Sequence, residues 1–282
     1  MKTVLGLIAS PRKLGNSEIF TKEIARNLEN DWALKLIRLP RLNIRPCRAC
    51  YSCLFDKEVC VQKDDIHFII HSLLAADAYI IAAPTYFLGP NSSIKRVLDR
   101  ALSLYAHIDK LWGKPSVAVA IAGIEGMEGY TKLGLESFAK LTFSDLKASA
   151  VVYGALPGET LLSEKNKKIA NELAQCLLGQ KKKVSGPTCP VCGGDTFRFF
   201  SDTEIRCMLC SSKGTIAFEN GKTRFQTAAK KHDLFSSLEK AKSHAEWLRN
   251  MKNLFLEKRK ELKQVCLEYA KDGKWLEPEK EE

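Results

Sequence analysis

The sequence predicts an α/β protein built on a doubly wound parallel sheet, followed by a small metal-binding segment and a helical segment. Two observations lead to this prediction. Residues 1–178 alternate short β-rich apolar runs with helical patterns, which is typical of β-α units around a parallel sheet. After them come paired cysteines and then a stretch from Lys222 to Asp272 that contains no Gly or Pro.

Five apolar runs are the candidate strands. Four of them are nearly continuous hydrophobic sequence, as expected where helices cover both faces of the sheet. The runs are Val4–Ala9, Leu34–Leu39, Ala78–Ala83, Val117–Ala122 and Ala150–Tyr153. Segments with one apolar face at helical spacing lie between and after them. These candidate helices are Ser17–Leu28, Asp65–Leu74, Ser92–Tyr105, Tyr130–Leu141 and Ser163–Leu178.

Composition divides the chain into successive parts. A first domain over residues 1–179 is followed by a linker at 180–187, where a lysine run ends in Gly and Pro. A ribbon-like domain is predicted over 188–225, with β-like pieces at 196–200 and 215–218 and a hairpin turn at Asn220-Gly221. Apolar residues at helical spacing predict a long helix or a two-helix hairpin over 226–272, and residues 273–282 are a tail.

The charge and hydropathy patterns exclude several classes of protein. The 282 residues carry 44 basic and 33 acidic side chains, a net charge of +11. The excess is shared almost evenly between residues 1–180 and 181–282, so the clustering expected of a nucleic-acid binder is missing. No apolar run reaches the length of a membrane span, and the run from Thr3 to Ala9 is short for a signal peptide. We therefore expect a cytoplasmic protein that binds neither membrane nor nucleic acid.

The turn after the first strand is the first candidate binding site. It reads Ser10-Pro-Arg-Lys-Leu-Gly-Asn-Ser17 and leads directly into a helix. Hydroxyl groups, unpaired backbone N–H groups and the helix dipole at such a turn suit a phosphate, and Arg12 and Lys13 add positive charge. The alternative is an ordinary turn in which Ser17 caps the helix.

Two more loops follow strands at the same edge of the sheet. Residues 84–92 contain Tyr86 and Phe87, and residues 123–130 contain three glycines. In a doubly wound sheet a ligand lies outside the strand ends at the switch point, where an aromatic pair can contact a planar ring and glycine permits close approach. Taken alone, the two aromatic residues are more typical of packing, but beside a phosphate-binding turn contact with a ligand ring is favoured.

Eight of the ten cysteines fall into two groups, and the spacing within each favours metal ligation over disulfides. The spacing Cys47-x2-Cys50-x2-Cys53-x6-Cys60 lets one loop wrap an iron–sulfur cubane. Two Cys-x2-Cys pairs fourteen residues apart match a structural zinc ribbon with four thiolate ligands. The ligands of this second site are Cys189, Cys192, Cys207 and Cys210.

The ribbon leaves one further alternative open. Phe197, Phe199 and Phe200, together with Arg198 and Arg206, could contact a single-stranded nucleic acid. The preferred interpretation is that the phenylalanines form the small core of the ribbon and the arginines face water.

The first 180 residues resemble the NADPH-dependent FMN reductase family, and within it the iron-sulfur flavoproteins. The resemblance lies in Ser10-Pro-Arg-Lys-x-Gly-Asn-Ser17, the cysteine group near residue 50, Lys63-Asp64-Asp65, and the run from Pro84 to Arg100. It implies a flavodoxin-like fold with bound FMN. The residues that it implies around FMN are Ser10, Arg12, Asn16 and Ser17 at the phosphate, Pro84, Thr85, Tyr86 and Phe87 beside the ribityl chain and ring, and Gly123 on the other side of the ring.

The resemblance also implies a [4Fe–4S] cluster on Cys47, Cys50, Cys53 and Cys60, although relatives without a cluster carry similar loops as free or structural thiols. The expected protein is an FMN-dependent oxidoreductase that uses NAD(P)H and a small-molecule or protein partner. No side chain is assigned a catalytic role, because the flavin carries out the chemistry. The alternative is an electron-transfer or regulatory flavoprotein whose ribbon and helices bind a macromolecule. The terminal helices either cover the first domain or pair with a second subunit, and a homo-oligomer is expected.

Overall fold

The structure is a computed structural model that describes residues 1–55, 60–181, 186–219, 222–227, 234, 237–274 and 276. Most of the predicted linker and the predicted turn at Asn220-Gly221 lie outside these residues. The strands are β1 Lys2–Ile8, β2 Trp32–Arg38, β3 Ala78–Tyr86, β4 Gly89–Pro90, β5 Pro115–Ala122, β6 Asp145–Tyr153, β7 Phe197–Phe199, β8 Glu204–Cys207, β9 Lys213–Glu219 and β10 Lys222–Thr227. The α-helices are α1 Asn16–Arg26, α2 Ser52–Phe55, α3 Ile66–Ala75, α4 Ser93–Leu98, α5 Ile108–Leu111, α6 Thr131–Leu141, α7 Glu164–Leu177, α8 Leu238–Glu257 and α9 Arg259–Glu268.

The main sheet has the strand order β2-β1-β3-β5-β6, and these five strands are parallel. The two-residue β4 pairs antiparallel with the end of β3. In this order the chain passes from β2 across β1 to β3, and this reversal creates a switch point between β1 and β3. The predicted doubly wound, flavodoxin-like sheet of five parallel strands is confirmed.

Alternate residues of the central strands enter different cores, because successive side chains point to opposite faces. Leu7 and Ile81 pack with α3, α4 and α6 on one face. Val4, Ile80 and Val119 pack with α1 and α7 on the other face. Burial on both faces explains why the sequence of these strands is almost continuously apolar.

The helix predicted over Ser92–Tyr105 is interrupted in the structure. The α-helix ends at Leu98, and a 3-10 helix runs from Ala101 to His107. Between them, the backbone carbonyl of Arg100 accepts hydrogen bonds from Ser103 Oγ at 2.7 Å and Ser103 N–H at 3.2 Å. The side chain of Arg100 is buried in a contact with the loop that carries Cys60, so a tertiary interaction determines the break.

The ribbon forms a second sheet with the order β10-β9-β8-β7, all antiparallel. Two of these strands differ from the sequence prediction. The four-residue β8 has no counterpart in the predicted pieces, and β10 extends to Thr227, which lies inside the segment predicted as helical from residue 226.

The terminal segment forms two consecutive helices that separate at Lys258. Ala241 and Ala245 are buried, and Ala241 belongs to the core beneath α3 and α6, so α8 covers the first domain. The helix α9 buries no residue. None of the helices in the described residues combines the length and the apolar character needed to cross a lipid bilayer.

Candidate functional site

A cavity of about 220 Å³ opens at the carboxyl ends of β1, β3, β5 and β6. It contains all the residues predicted around a flavin except Phe87. The lining residues are Ser10, Arg12, Gly15, Asn16, Ser17, Pro84, Thr85, Tyr86, Ile121, Gly123, Gly154, Ala155 and Pro157. The switch point of the sheet therefore joins residues that lie more than a hundred positions apart in the chain.

One end of this cavity is formed by the turn before α1. Ser10 and Ser17 are buried there, and the N–H groups of Glu18 and Ile19 both donate to the carbonyl of Gly15 at 3.0 Å. The first N–H groups of a helix have no partner within it. Asn16 and Ser17 therefore offer N–H groups at the positive end of the α1 dipole, where an anion is favoured.

The side chain of Asn16 holds a neighbouring loop. Its Nδ2 donates to the carbonyl of Gly154 at 2.9 Å, and its Oδ1 accepts from Gly158 N–H at 2.9 Å and Thr160 Oγ at 3.3 Å. These bonds connect the β1–α1 turn to the loop after β6. Asn16 thus lines the cavity, but its side-chain amide is hydrogen-bonded to the protein.

Arg38 and Glu18 support the turn from behind, and sequence reasoning missed both. Arg38 Nη1 donates to the carbonyls of Ser10 at 2.9 Å and Arg12 at 2.5 Å, and Nη2 pairs with Glu18. Burial raises the pKa of Glu18, but hydrogen bonds from Lys22, Arg38 and Leu14 N–H outweigh it and lower the pKa to about 2. Arg38 lies at the end of a separate strand, and no local pattern connects it with the turn.

The end of β3 forms the opposite wall. Thr85 Oγ donates to Thr131 Oγ at 2.9 Å, which fixes the end of β3 against the start of α6. Tyr86 lines the cavity with part of its ring exposed. Phe87 is fully exposed and, like Leu88, has a positive φ, so the chain turns sharply there and Phe87 does not line the cavity.

Two glycines bring the loops after β3 and β5 into backbone contact. Gly129 has a φ of +52°, and a Cβ there would lie 2.1 Å from the Leu88 carbonyl oxygen. A Cβ on Gly89 would lie 2.4 Å from the ring of Tyr130. Tyr130 N–H donates to the same Leu88 carbonyl at 2.7 Å. Only glycine permits this approach, which holds one rim of the cavity together.

The four amino-proximal cysteines line one small cavity with Arg100. Ala49 and Tyr51, on either side of Cys50, have positive φ angles, so the backbone reverses twice within the Cys-x2-Cys-x2-Cys run. Burial, with the nearby Cys60 thiol, raises the pKa of Cys53 to about 11. The four cysteines therefore lie around one cavity, and a metal bound there would have to displace a proton from Cys53.

The four ribbon cysteines lie closer together. Their sulfur atoms are all within 4.8 Å of one another, with Cys189–Cys210 at 3.7 Å and Cys192–Cys207 at 3.5 Å. Thiolates about 2.3 Å from a tetrahedral zinc ion are separated by similar distances. The ribbon cysteines thus fit a single ion, whereas the amino-proximal group shares a cavity without meeting this criterion among the described residues.

Comparison with known proteins identifies the family. Residues 2–152 match the model of the NADPH-dependent FMN reductase family. An iron-sulfur flavoprotein of Archaeoglobus fulgidus is 31% identical over 178 residues, which cover 61% of this chain and 77% of that protein. The chain belongs to the NADPH-dependent FMN reductase family. An iron-sulfur flavoprotein of Methanosarcina thermophila is 30% identical over 123 residues, but this match covers only 43% of the chain and 63% of that relative.

As a member of this family, the protein is a flavin oxidoreductase and FMN is its cofactor. The groups around the cavity fit this cofactor. Hydroxyls, helix N–H groups and a guanidinium at the β1–α1 turn suit a phosphate, and Pro84, Tyr86 and Gly123 offer flat or open surfaces to a ring.

The fold of the whole reductase has a solved counterpart. The structure of a flavone reductase superposes on 98% of this chain and 100% of its own chain, with a TM-score of 0.75 at 18% identity. The sequence resemblance to the family covers about the first 180 residues. The shared fold includes the ribbon and the terminal helices as well.

The ribbon was expected to bury its phenylalanines in a small core, and this holds for only part of them. Phe197 packs near the ribbon cysteines and lies 5.0 Å from the ring of Phe225. Phe199 and Phe200 are exposed, and three cations surround the Phe200 ring. The cations are Arg198 at 5.1 Å, Arg206 at 4.8 Å and Lys213 at 5.8 Å. Cation–π contacts account for these residues, and nucleic-acid binding is untested.

Proposed function

We propose that this flavin oxidoreductase takes electrons from NAD(P)H and passes them through FMN and a [4Fe–4S] cluster to a small-molecule or protein acceptor. The observation that carries the proposal is the position of α4. This helix begins at Ser93, seven residues after Tyr86, which lines the flavin cavity, and ends two residues before Arg100, which lines the cysteine cavity. Six residues of helix span about 9 Å.

In this proposal the β1–α1 turn holds the phosphate of FMN. Ser10, Ser17 and Arg12 bind it, while Asn16 contributes its N–H group and keeps the loop after β6 in place. Pro84, Thr85, Tyr86 and Gly123 border the ribityl chain and the ring, and Phe87 is available to a molecule that approaches the cavity from outside. When bound, FMN accepts a hydride and releases electrons singly or in pairs.

The two cysteine groups have separate roles in the proposal. Cys47, Cys50, Cys53 and Cys60 bind the cluster, which is supported by their shared cavity and by the iron-sulfur flavoproteins among the relatives. Cys189, Cys192, Cys207 and Cys210 bind a structural zinc ion, which is supported by their sulfur distances. Four thiolate ligands leave zinc no open position for a substrate.

The proposed donor is tested by mixing protein purified without oxygen with NADPH or NADH and following the flavin absorbance. We expect rapid bleaching, followed by steady turnover when a quinone is added. A flavin that stays oxidised with both nucleotides but is reduced by dithionite would contradict the proposal. That result would favour the alternative of an electron carrier that a protein donor reduces.

The proposed cluster is tested with Cys50→Ser, because Cys50 is exposed and its replacement leaves the core intact. We expect this variant to keep FMN and to lose iron. The matched control is Cys266→Ser, since Cys266 is also exposed and lies in α9. Equal iron content in both variants would remove Cys50 from the cluster assignment.

A further inference from the structure

Arg100 forms a fully buried ion pair beside the cysteine cavity. Its side chain is 1% exposed and that of Asp64 is 0% exposed. The contact is bidentate, with Nη1 to Asp64 Oδ2 at 2.6 Å and Nη2 to Asp64 Oδ1 at 3.2 Å. A buried ion pair often contributes less to stability than apolar residues of the same size would. Its presence here calls for a role beyond stabilisation of the core.

The remaining two Nη hydrogens of Arg100 reach the two ends of the cysteine loop. Nη1 donates to the carbonyl of Arg45, two residues before Cys47, at 2.8 Å. Nη2 donates to Cys60 Sγ at 2.9 Å. The four Nη hydrogens are thus all used, and one of them points at a sulfur atom.

Asp64, the partner of Arg100, also holds both ends of the cysteine loop. It accepts from Arg45 N–H at 2.9 Å and from Ile66 N–H at 3.2 Å. Arg45 precedes the first cysteine and Asp64 follows the last, so one ion pair fixes both ends of the segment. Lysine could not replace Arg100 fully, because its single nitrogen lacks the planar fork that makes these contacts together.

A positive charge and an N–H donor next to a ligating sulfur both stabilise added negative charge. The reduced form of an iron–sulfur cluster carries one more electron than the oxidised form, and net charge and hydrogen bonds to sulfur set the reduction potential. Contacts of this kind around a metal ligand also hold the ligand in its orientation.

We propose that Arg100 is a positioning residue for the [4Fe–4S] centre, which fixes Cys60 as a ligand and raises the reduction potential of the cluster. This inference rests on the proposed function, since it requires that Cys47, Cys50, Cys53 and Cys60 bind a cluster. Through α4 and the segment before it, the same residue is connected to the end of β3, which lines the flavin cavity.

The test is the double variant Arg100→Met/Asp64→Asn, which removes both buried charges and so leaves neither unpaired. We expect normal FMN content, iron loss to a chelator that is about 10–100-fold faster than in the wild type, and a more negative cluster potential in a redox titration followed by electron paramagnetic resonance. Arg100→Lys keeps the charge, and both of its values should lie between those of the wild type and the double variant.

The matched control is Lys114→Met. Lys114 is a partly buried cation of the same domain, and its Nζ donates to the carbonyls of Leu73, Leu74 and Ala76. We expect this change to lower the stability of the domain without altering the cluster potential. It separates loss of a cluster contact from general destabilisation.

The outcomes distinguish this inference from the proposed function. Iron in the wild type, with the same chelation rate and potential in the double variant, would overturn the inference alone. Wild-type protein without iron, purified without oxygen, would overturn the proposed cluster and with it the role of Arg100. If the double variant does not fold, the test rests on Arg100→Lys. A wild-type potential and a wild-type rate of iron loss in Arg100→Lys would overturn the inference.

Discussion

The polar residues at the β1–α1 turn have two roles: some line the flavin cavity, and others hold the backbone of the turn in place. Ser10, Arg12 and Ser17 face the cavity, while Arg38 and Glu18 hold the turn from behind. Hydrogen bonds to a charged group contribute about 1.5–3 kcal/mol each. The affinity for a phosphate at this turn therefore depends strongly on these few side chains.

Replacement of two contacting residues tests the turn directly. We expect Arg12→Ala/Ser17→Ala to weaken FMN binding by about 10–100-fold or more, because a guanidinium and a hydroxyl donor are lost. Quenching of FMN fluorescence on titration of the flavin-free protein measures the affinity. The matched control is Arg26→Ala/Ser72→Ala, which changes the same residue types at an exposed and a partly exposed position that do not line the cavity. Equal affinity in both double variants would remove the phosphate assignment.

Glu18 gives the turn a dependence on pH. Its pKa is about 2 in the folded protein against an ordinary value of 4.5, since its hydrogen bonds outweigh the effect of burial. A lowered folded pKa stabilises the protein above pH 4.5, and this contribution is lost as pH falls towards 2. We expect wild type to be more stable than Glu18→Gln by on the order of 3 kcal/mol at pH 7. The difference, measured by urea unfolding, should shrink between pH 5 and pH 2; a constant difference would contradict this account.

Among the elements, α8 has a role that no sequence motif announced. Arg249 Nε donates to the carbonyl of Leu54 at 2.9 Å, and Lys252 lies 5.2 Å from the ring centroid of Phe55. Leu54 and Phe55 belong to α2, which also carries Cys53. Helix α8 therefore restrains the loop of the proposed cluster.

This contact predicts a defined effect of Arg249→Ala. We expect faster loss of iron to a chelator, because the loop around Cys53 gains freedom, and an unchanged FMN content, because the flavin cavity contains no residue of α8. Arg259→Ala in the exposed α9 is the control. Iron loss at the wild-type rate in Arg249→Ala would show that α8 covers the loop without restraining it.

We expect the ribbon to need its metal in order to fold, whereas the flavin domain should fold without it. Cys207 is fully buried among the other ribbon cysteines, so Cys207→Ser should remove zinc and unfold the ribbon. Metal analysis should give about one zinc per chain in wild type and almost none in the variant, with FMN content unchanged. A variant that keeps its zinc would contradict the four-thiolate site, and one that also loses FMN would show that the two parts depend on each other.

The sequence predicted the elements whose residues interact locally or pack on two faces. The continuous apolar runs around Ile80 and Val119 identified strands buried on both sides. Arg38 was missed because it reaches the turn at Ser10 from a different strand. The break at Arg100 was missed because it depends on a contact with Asp64. Phe87 was expected beside the ring, but the left-handed turn at Phe87 and Leu88 directs its side chain outward.

In the whole molecule, the ribbon packs against the start of α6. Lys132 pairs with Glu136 at 2.6 Å and with Asp195 of the ribbon at 2.7 Å, and Leu133 packs on the ribbon cysteines. Both residues directly follow Thr131, which bonds to Thr85 in the cavity. The ribbon thus contacts the start of α6, which is hydrogen-bonded to the end of β3 beside the flavin cavity.

Two expectations about the whole molecule stay predictions. The identity of the nicotinamide donor and of the acceptor awaits turnover measurements. The homo-oligomer expected from the terminal helices awaits a measurement of molecular mass in solution, where exposed apolar residues of α8 and α9 such as Trp247, Leu262 and Val265 would contact a second subunit. Light scattering at the mass of a single chain would contradict it.

One chain is expected to hold FMN, an iron–sulfur cluster and a structural zinc ion. This composition is tested by an absorbance spectrum of protein purified without oxygen, with iron, sulfide and zinc analysis of the same sample. We predict flavin bands, about four irons with matching sulfide, and about one zinc per chain. Flavin with zinc alone would eliminate the cluster relay, and a protein that binds no flavin even after addition of FMN would contradict the account.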